Sequence, residues 1–180
     1  LNYIYMNYQK SGIVIFKKKD NKFYFLLGKN NLNILNSKNN LFSDIGGLKD
    51  VKDFNPKDTA ARLFYENTCG LLYSINELKD KIIGSFDNPK YNYTLNFIQN
   101  SDVSDVTLHN INQVRSYLNT VIHSNGFNTF EKKEITLQDC ILSNDIRWFE
   151  LNEIVNNSTQ FDSQFMNTFL KCLKTDILKK

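Results

Sequence analysis

A chain of 180 residues with 22 basic against 19 acidic side chains and a formal net charge of +3 is too evenly balanced to bind nucleic acid through bulk charge alone. Its 41% hydrophobic and 23% charged content excludes a disordered chain and leaves room for a buried core. The longest apolar runs, residues 12–16 and 23–27, fall far short of the roughly 18–20 residues of a helical span, so no membrane partner is expected.

Taken in order, residues 12–18 alternate and are rich in Ile, Val and Phe, which predicts a strand. Residues 22–27 predict a second strand, reached through a turn at Asp20-Asn21. Residues 30–40 are polar and Asn-rich and read as a loop. Residues 42–48 carry Gly46-Gly47, where the backbone must turn tightly or approach something closely. A helix then opens at Pro56, with Asn55 as N-cap and Asp58 in the first turn; Ala60, Leu63, Phe64 and Leu71 supply its apolar stripe, and Gly70 ends it. Residues 76–83 are mixed. Residues 91–99 predict a strand, 108–121 a helix with Ile111, Val114, Leu118 and Val121 on one face, and 141–149 a strand running into 151–155. An amphipathic helix over 163–178, within a C-terminal helical region spanning about 159–178, closes the chain. Strands and helices mixed without strict alternation predict an α+β (mixed α/β) fold, and the absence of a repeat or a Pro/Gly-rich linker predicts one domain over 1–180.

Three cysteines, Cys69, Cys140 and Cys172, are odd in number and widely spaced. They predict neither a disulfide framework nor a zinc site. With no basic-then-apolar leader pattern at the start, they predict a cytoplasmic or other reducing intracellular compartment and not secretion. The 26 asparagines and the excess of Lys over Arg imply an AT-rich coding sequence.

Asp44-Ile45-Gly46-Gly47, then residues 58–62 (DTAAR), then residues 66–71 (ENTCGL), together resemble the Nudix box. That motif runs Gly, five residues, Glu, seven residues, then Arg-Glu-apolar-any-Glu-Glu-any-Gly-apolar. Residues 11–29 look like the opening hairpin of that family, and 145–154 (DIRWFELNEI) are similar to its late strand and short helix. The resemblance covers roughly residues 11–155 and implies a Nudix-like α/β/α sandwich with a central mixed sheet.

In active members the helix presents glutamates at i, i+3 and i+4, on one face, where they gather Mg²⁺ or Mn²⁺. The metal neutralises a diphosphate and activates the attacking water. Counted from Arg62, those three positions hold Leu63, Glu66 and Asn67. An alkyl group cannot coordinate a metal, and an amide offers only a neutral carbonyl oxygen. Anchoring on Arg62 asks for one extra residue before Gly70 and one between Asp53 and Arg62. Asp53 then replaces the motif's first glutamate and is placed to pair with Arg62, which is read as orienting this loop acid. The resemblance makes Glu66, Arg62 and Asp53 the candidate catalytic residues and Glu66 the candidate metal ligand, the alternative for Glu66 being an exposed helix charge paired with Arg62. Gly46, Gly47 and Asn67 become the candidate substrate-binding residues. Asp50, Glu131, Glu134 and Asp139 are further acids that could compensate.

His109 and His123 read as polar loop residues with no nucleophile at a diagnostic spacing. Tyr3, Tyr5, Tyr8, Tyr91 and Tyr93 read either as base-stacking surfaces or, more readily, as strand packing with the hydroxyl at the surface. Trp148 is expected in the core. The expected function is a Nudix-fold protein with degenerate catalysis that binds a nucleotide, an RNA end or cap, or a protein partner. The alternatives are an active metal-dependent pyrophosphohydrolase using Mg²⁺ or Mn²⁺, and a structural subunit with a vestigial pocket.

Overall fold

The computed structural model describes residues 8–30, 41–124 and 145–179. Its centre is β1 (Lys10–Lys19), whose two faces are both covered: Ile13 and Ile15 point to one side, Val14 and Phe16 to the other, and all four are buried. Such two-sided burial explains why the strand reads as a near-continuous apolar run. β2 (Lys22–Asn30) returns antiparallel through the Asp20-Asn21 turn, where both residues hold positive φ, 50° and 60°. These angles suit the two-residue hairpin turn that Asp and Asn tolerate.

The hairpin pairs only where Ile15 faces Leu26 through Lys19 facing Lys22; beyond that its strands part. Into the fork run β3 (Leu41–Ser43) and β4 (Ile45–Leu48), two halves of one segment kinked at Asp44. β3 pairs with β2, and β4 with the first half of β1. β6 (Tyr93–Gln99) lies parallel to β1 on its other side, with β5 (Ile82–Asn88) antiparallel beyond it, and β7 (Ile146–Glu150) lies antiparallel to β2. The seven strands form one mixed sheet.

Helices cover both faces, giving a three-layer α/β/α sandwich of mixed α+β class. On the face of Ile13, Ile15, Leu26 and Ile98 lie α1 (Pro56–Asn67), α2 (Ile75–Lys81) and α3 (Asp105–Ser124), contributing Ala60, Ala61, Phe64, Leu78, Leu108 and Ile111. On the other face α4 (Leu151–Asn156) and α5 (Ser163–Cys172) close an aromatic core in which Phe25 meets Phe169 edge-on at 4.9 Å and Phe42 meets Phe149 at 4.6 Å. Each such ring removed from water contributes about 1.5–3 kcal/mol. Among the described residues no helix is long and apolar enough to cross a membrane.

Three expectations are corrected. β5 was not foreseen: residues 76–83 divide into α2, held by a Ser74/Glu77 capping box, and the start of an edge strand. The C-terminal helix is shorter than 163–178; it ends at Cys172, where the Thr175 hydroxyl and amide both turn back to the Cys172 carbonyl, and a separate 3-10 turn over Asp176–Lys179 packs Ile177 on Gly84 of β5. Trp148 is half-buried at the rim of the core, its ring under the Lys17 ammonium at 3.9 Å. The predicted loop at 30–40 and strand residues 141–144 fall essentially outside the described residues.

Candidate functional site

α1 starts where its caps require. Asn55 accepts from the Asp58 amide, Pro56 needs no partner in the first turn, and Ala60 and Ala61 are small enough to lay the helix against β1 and β4. The helix ends in a Schellman arrangement: the Cys69 amide donates to the Glu66 carbonyl and the Gly70 amide to that of Tyr65, at 3.1 and 2.8 Å. Cys69 and Gly70 both hold left-handed φ, 53° and 66°.

This placement turns Arg62 toward the loop between β4 and α1. Its Nε donates to Asp53 Oδ1 at 3.0 Å and its Nη2 to Oδ2 at 2.8 Å, a bidentate fork. Asp53 Oδ2 also accepts from the Thr59 hydroxyl at 2.8 Å and the Asp50 amide at 2.9 Å, and Thr59 Oγ1 lies 3.2 Å from the Tyr8 hydroxyl. The Asp53 side chain is only 4% exposed. Burial works to raise its pKa, but the hydrogen bonds from Arg62, Asp50 and Thr59 outweigh it and hold the carboxyl below its ordinary value. Asp53 is therefore a buried acid anchoring the connection between β4 and α1, and Arg62 is the foremost of the groups that keep it charged.

Glu66 sits one turn along from Arg62, whose Nη1 is 3.4 and 3.3 Å from its two oxygens. Burial raises the Glu66 pKa; Arg62 pulls it back, while Asp53 and Asp50 add to the rise. Leu63 points at Gly47, its Cδ1 3.4 Å from where a Cβ would stand there. Asn67 is buried, and its Nδ2 donates to the Leu63 carbonyl of its own helix at 2.6 Å. Among the described residues no group of three or more His, Cys, Asp or Glu side chains could hold a metal ion. Glu131, Glu134 and Asp139 lie outside them, as do Tyr3, Tyr5 and Cys140.

The two glycines divide their roles. A Cβ on Gly46 would collide with the Gly12 Cα and the Ser11 carbonyl, so Gly46 is fixed by the close approach of β4 to β1. Gly47 has room for a methyl group. A Cβ on Gly12 would collide with the Asp44 carboxylate, which fills the space these glycines leave. Asp44 is buried, and neither its oxygens nor the buried Tyr93 hydroxyl beside it reach hydrogen-bonding geometry among the described residues. Burial pushes the Asp44 carboxyl above its ordinary range; Lys10 opposes the rise, and Asp162 adds to it.

Reading the sequence missed Arg115, Asp44, Thr59 and the role of Tyr8. Arg115 is buried on the inward side of α3 and donates to the Asn67 carbonyl at 2.7 Å, placing a cation at the C-terminal end of α1. Burial draws its pKa down to about 10, Cys69 opposing. An arginine four residues after Ile111 on an apolar face was the available signal. Tyr93 does not carry its hydroxyl at the surface as expected; it is enclosed with its ring in the core. His109 is an exposed residue within α3, not in a loop, and His123 lies in the same helix. Neither protein-family models nor curated proteins yield a match to this chain.

Proposed function

We propose that this chain is a Nudix-fold protein with an incomplete metal site, and that it binds a nucleotide or an RNA end without hydrolysing it. The observation that carries this reading is the engagement of Arg62 with both remaining acids of the motif, Asp53 and Glu66. One guanidinium between two carboxylates leaves a single net negative charge where a hard divalent cation asks for several anionic oxygens. Leu63 and Asn67 turn inward to Gly47 and the helix backbone and supply none.

Two features support the Nudix register. Gly47 and Asp53 are separated by the motif's five residues, and Asp53 meets Arg62 in a fork. Counted from Arg62, the motif's glycine falls on Cys69, which holds the left-handed φ of 53° that a glycine adopts most readily. What remains at the surface is the partly exposed edge of Arg62 and Glu66, able to exchange hydrogen bonds with a ligand's phosphate, hydroxyl or base edge.

The test is a turnover assay with Mg²⁺ and Mn²⁺ against dinucleoside polyphosphates, nucleoside-diphosphate sugars and capped RNA, with calorimetric binding of the same ligands. Saturable binding without turnover is expected. Turnover that disappears in Glu66→Gln would establish the hydrolase instead, and neither turnover nor binding would leave a structural subunit.

A further inference from the structure

The turn that carries Asp53 presents apolar side chains that nothing in the fold uses. Val51 is 99% exposed, Phe54 81% and Leu48 66%. Among the described residues, exposure near that of an extended chain means that Val51 and Phe54 protrude. The turn beneath them is braced, because Asp53 accepts the Asp50 amide and is gripped by Arg62, while Asp50 Oδ1 accepts the Lys52 amide at 2.9 Å. These side chains are therefore displayed by an ordered base.

The charge around them is predominantly positive. Lys49, Lys52 and Lys57 are exposed, and no ion pair engages them among the described residues; the Lys49 ammonium rests over the Tyr8 ring at 4.6 Å. Of the carboxylates on this stretch, Asp53 is neutralised by Arg62 and Asp58 by Lys79 at 2.7 Å. Lys49, Lys52 and Lys57 against Asp50 leave an excess of two positive charges, which Glu66, sharing Arg62 with Asp53, reduces to one.

We propose that residues 48–57 dock on an anionic membrane surface, with Val51 and Phe54 entering the boundary between headgroups and acyl chains and the lysines meeting the headgroups. Two arguments select this occupant. A protruding apolar side chain is buried by a medium that closes around it, as acyl chains do, without the matching concave pocket that a folded partner has to supply. Single-stranded nucleic acid recognises π-faces, and two of the three exposed side chains here are aliphatic. Positive charge attracts anionic lipid over a Debye length, and apolar insertion adds to it. The contact is peripheral, so the short apolar runs that exclude a span do not oppose it, although it departs from the expectation of no membrane partner.

The experiment is co-sedimentation of the full chain with phosphatidylcholine vesicles, with and without phosphatidylserine. Binding is expected only with phosphatidylserine, weakening with added salt, by about fivefold for each lysine changed to Gln. It should drop by about tenfold or more in Val51→Asp/Phe54→Asp, a variant whose substituted groups touch nothing in the fold, which a thermal melt verifies. In Phe54→Trp the new indole should shift to the blue and be quenched by brominated acyl chains. No binding to phosphatidylserine vesicles, equal binding to both vesicle types, or binding unchanged in Val51→Asp/Phe54→Asp would overturn the proposal. So would Phe54-dependent binding of single-stranded RNA in a protein that leaves vesicles alone.

Discussion

Replacing Asp53 with Ala removes the anion on which the β4–α1 turn is built. Four hydrogen bonds end on this carboxylate, two from Arg62 and one each from Thr59 and the Asp50 amide, between 2.8 and 3.0 Å. Breaking a fully buried charge pair costs about 3–5 kcal/mol. Arg62 is 26% exposed and keeps Glu66, so water and the second acid recover part of that. A loss of about 2–4 kcal/mol is expected, a midpoint shift of about 1–2 M in urea. Glu66→Ala, which removes only the long contacts of 3.3 and 3.4 Å, should cost about 0–1 kcal/mol. The pH dependence separates charge from packing. The folded-state pKa of Asp53 is lowered, so its contribution is complete above the unfolded value of about 4 and fades as pH falls through the folded value. The gap between wild type and Asp53→Ala should therefore be widest at neutral pH and close in acid. Equal losses for Asp53→Ala and Glu66→Ala, or a gap independent of pH, would refute the assignment of Asp53 as the anchoring charge.

Asp44 has the opposite sign. Its folded pKa is raised, chiefly by burial, so whatever stability its neutral form contributes is complete below about pH 4 and declines as pH rises toward the folded value. Urea midpoints of wild type measured upward from pH 4 should decline more than those of Asp44→Asn, which keeps only the decline from the raised Glu66 carboxyl; parallel curves would remove Asp44 as a source. Gly46→Ala drives a methyl group into the β1 backbone and should cost about 2–4 kcal/mol, while Gly47→Ala, facing only Leu63, should cost under about 1 kcal/mol. Thermal melts of the pair would decide, and equal costs would show that β4 shifts freely on β1.

Legibility in the sequence followed the range of the interaction. α1 was readable because Asn55, Pro56, Asp58 and Gly70 act within a turn of themselves. The hairpin was readable because Asp20 and Asn21 supply its positive φ locally. β5 was not: it lies at the sheet edge with only Ile82 and Asn88 buried, and its pairing with β6 sets its conformation. The kink at Asp44 depends on the hairpin parting, which no local pattern encodes. Within the site, the spacing from Gly47 to Asp53 and Arg62 could be read from the chain. The Tyr8–Thr59 contact and the Arg115–Asn67 contact span 51 and 48 residues and could not.

The segment from Gly46 to Gly70 separates into two kinds of position. Gly46, Asp53, Thr59, Ala60, Ala61, Arg62 and Gly70 are held by the backbone of β1, by a buried carboxylate, or by a left-handed turn, so changing them costs folding energy. Positions 63 and 67 carry no such load in acidic form. As Leu and Asn they are placed against Gly47 and the Leu63 carbonyl, where a carboxylate at either would add charge beside Glu66. With no cation bound, three carboxylates at i, i+3 and i+4 repel one another and cost stability. Under the proposed reading, Leu63 and Asn67 relieve that repulsion, and Arg62 braces the turn while keeping a partly exposed edge. Arg62 is the brace of a turn whose outer side chains, Val51 and Phe54, face outward.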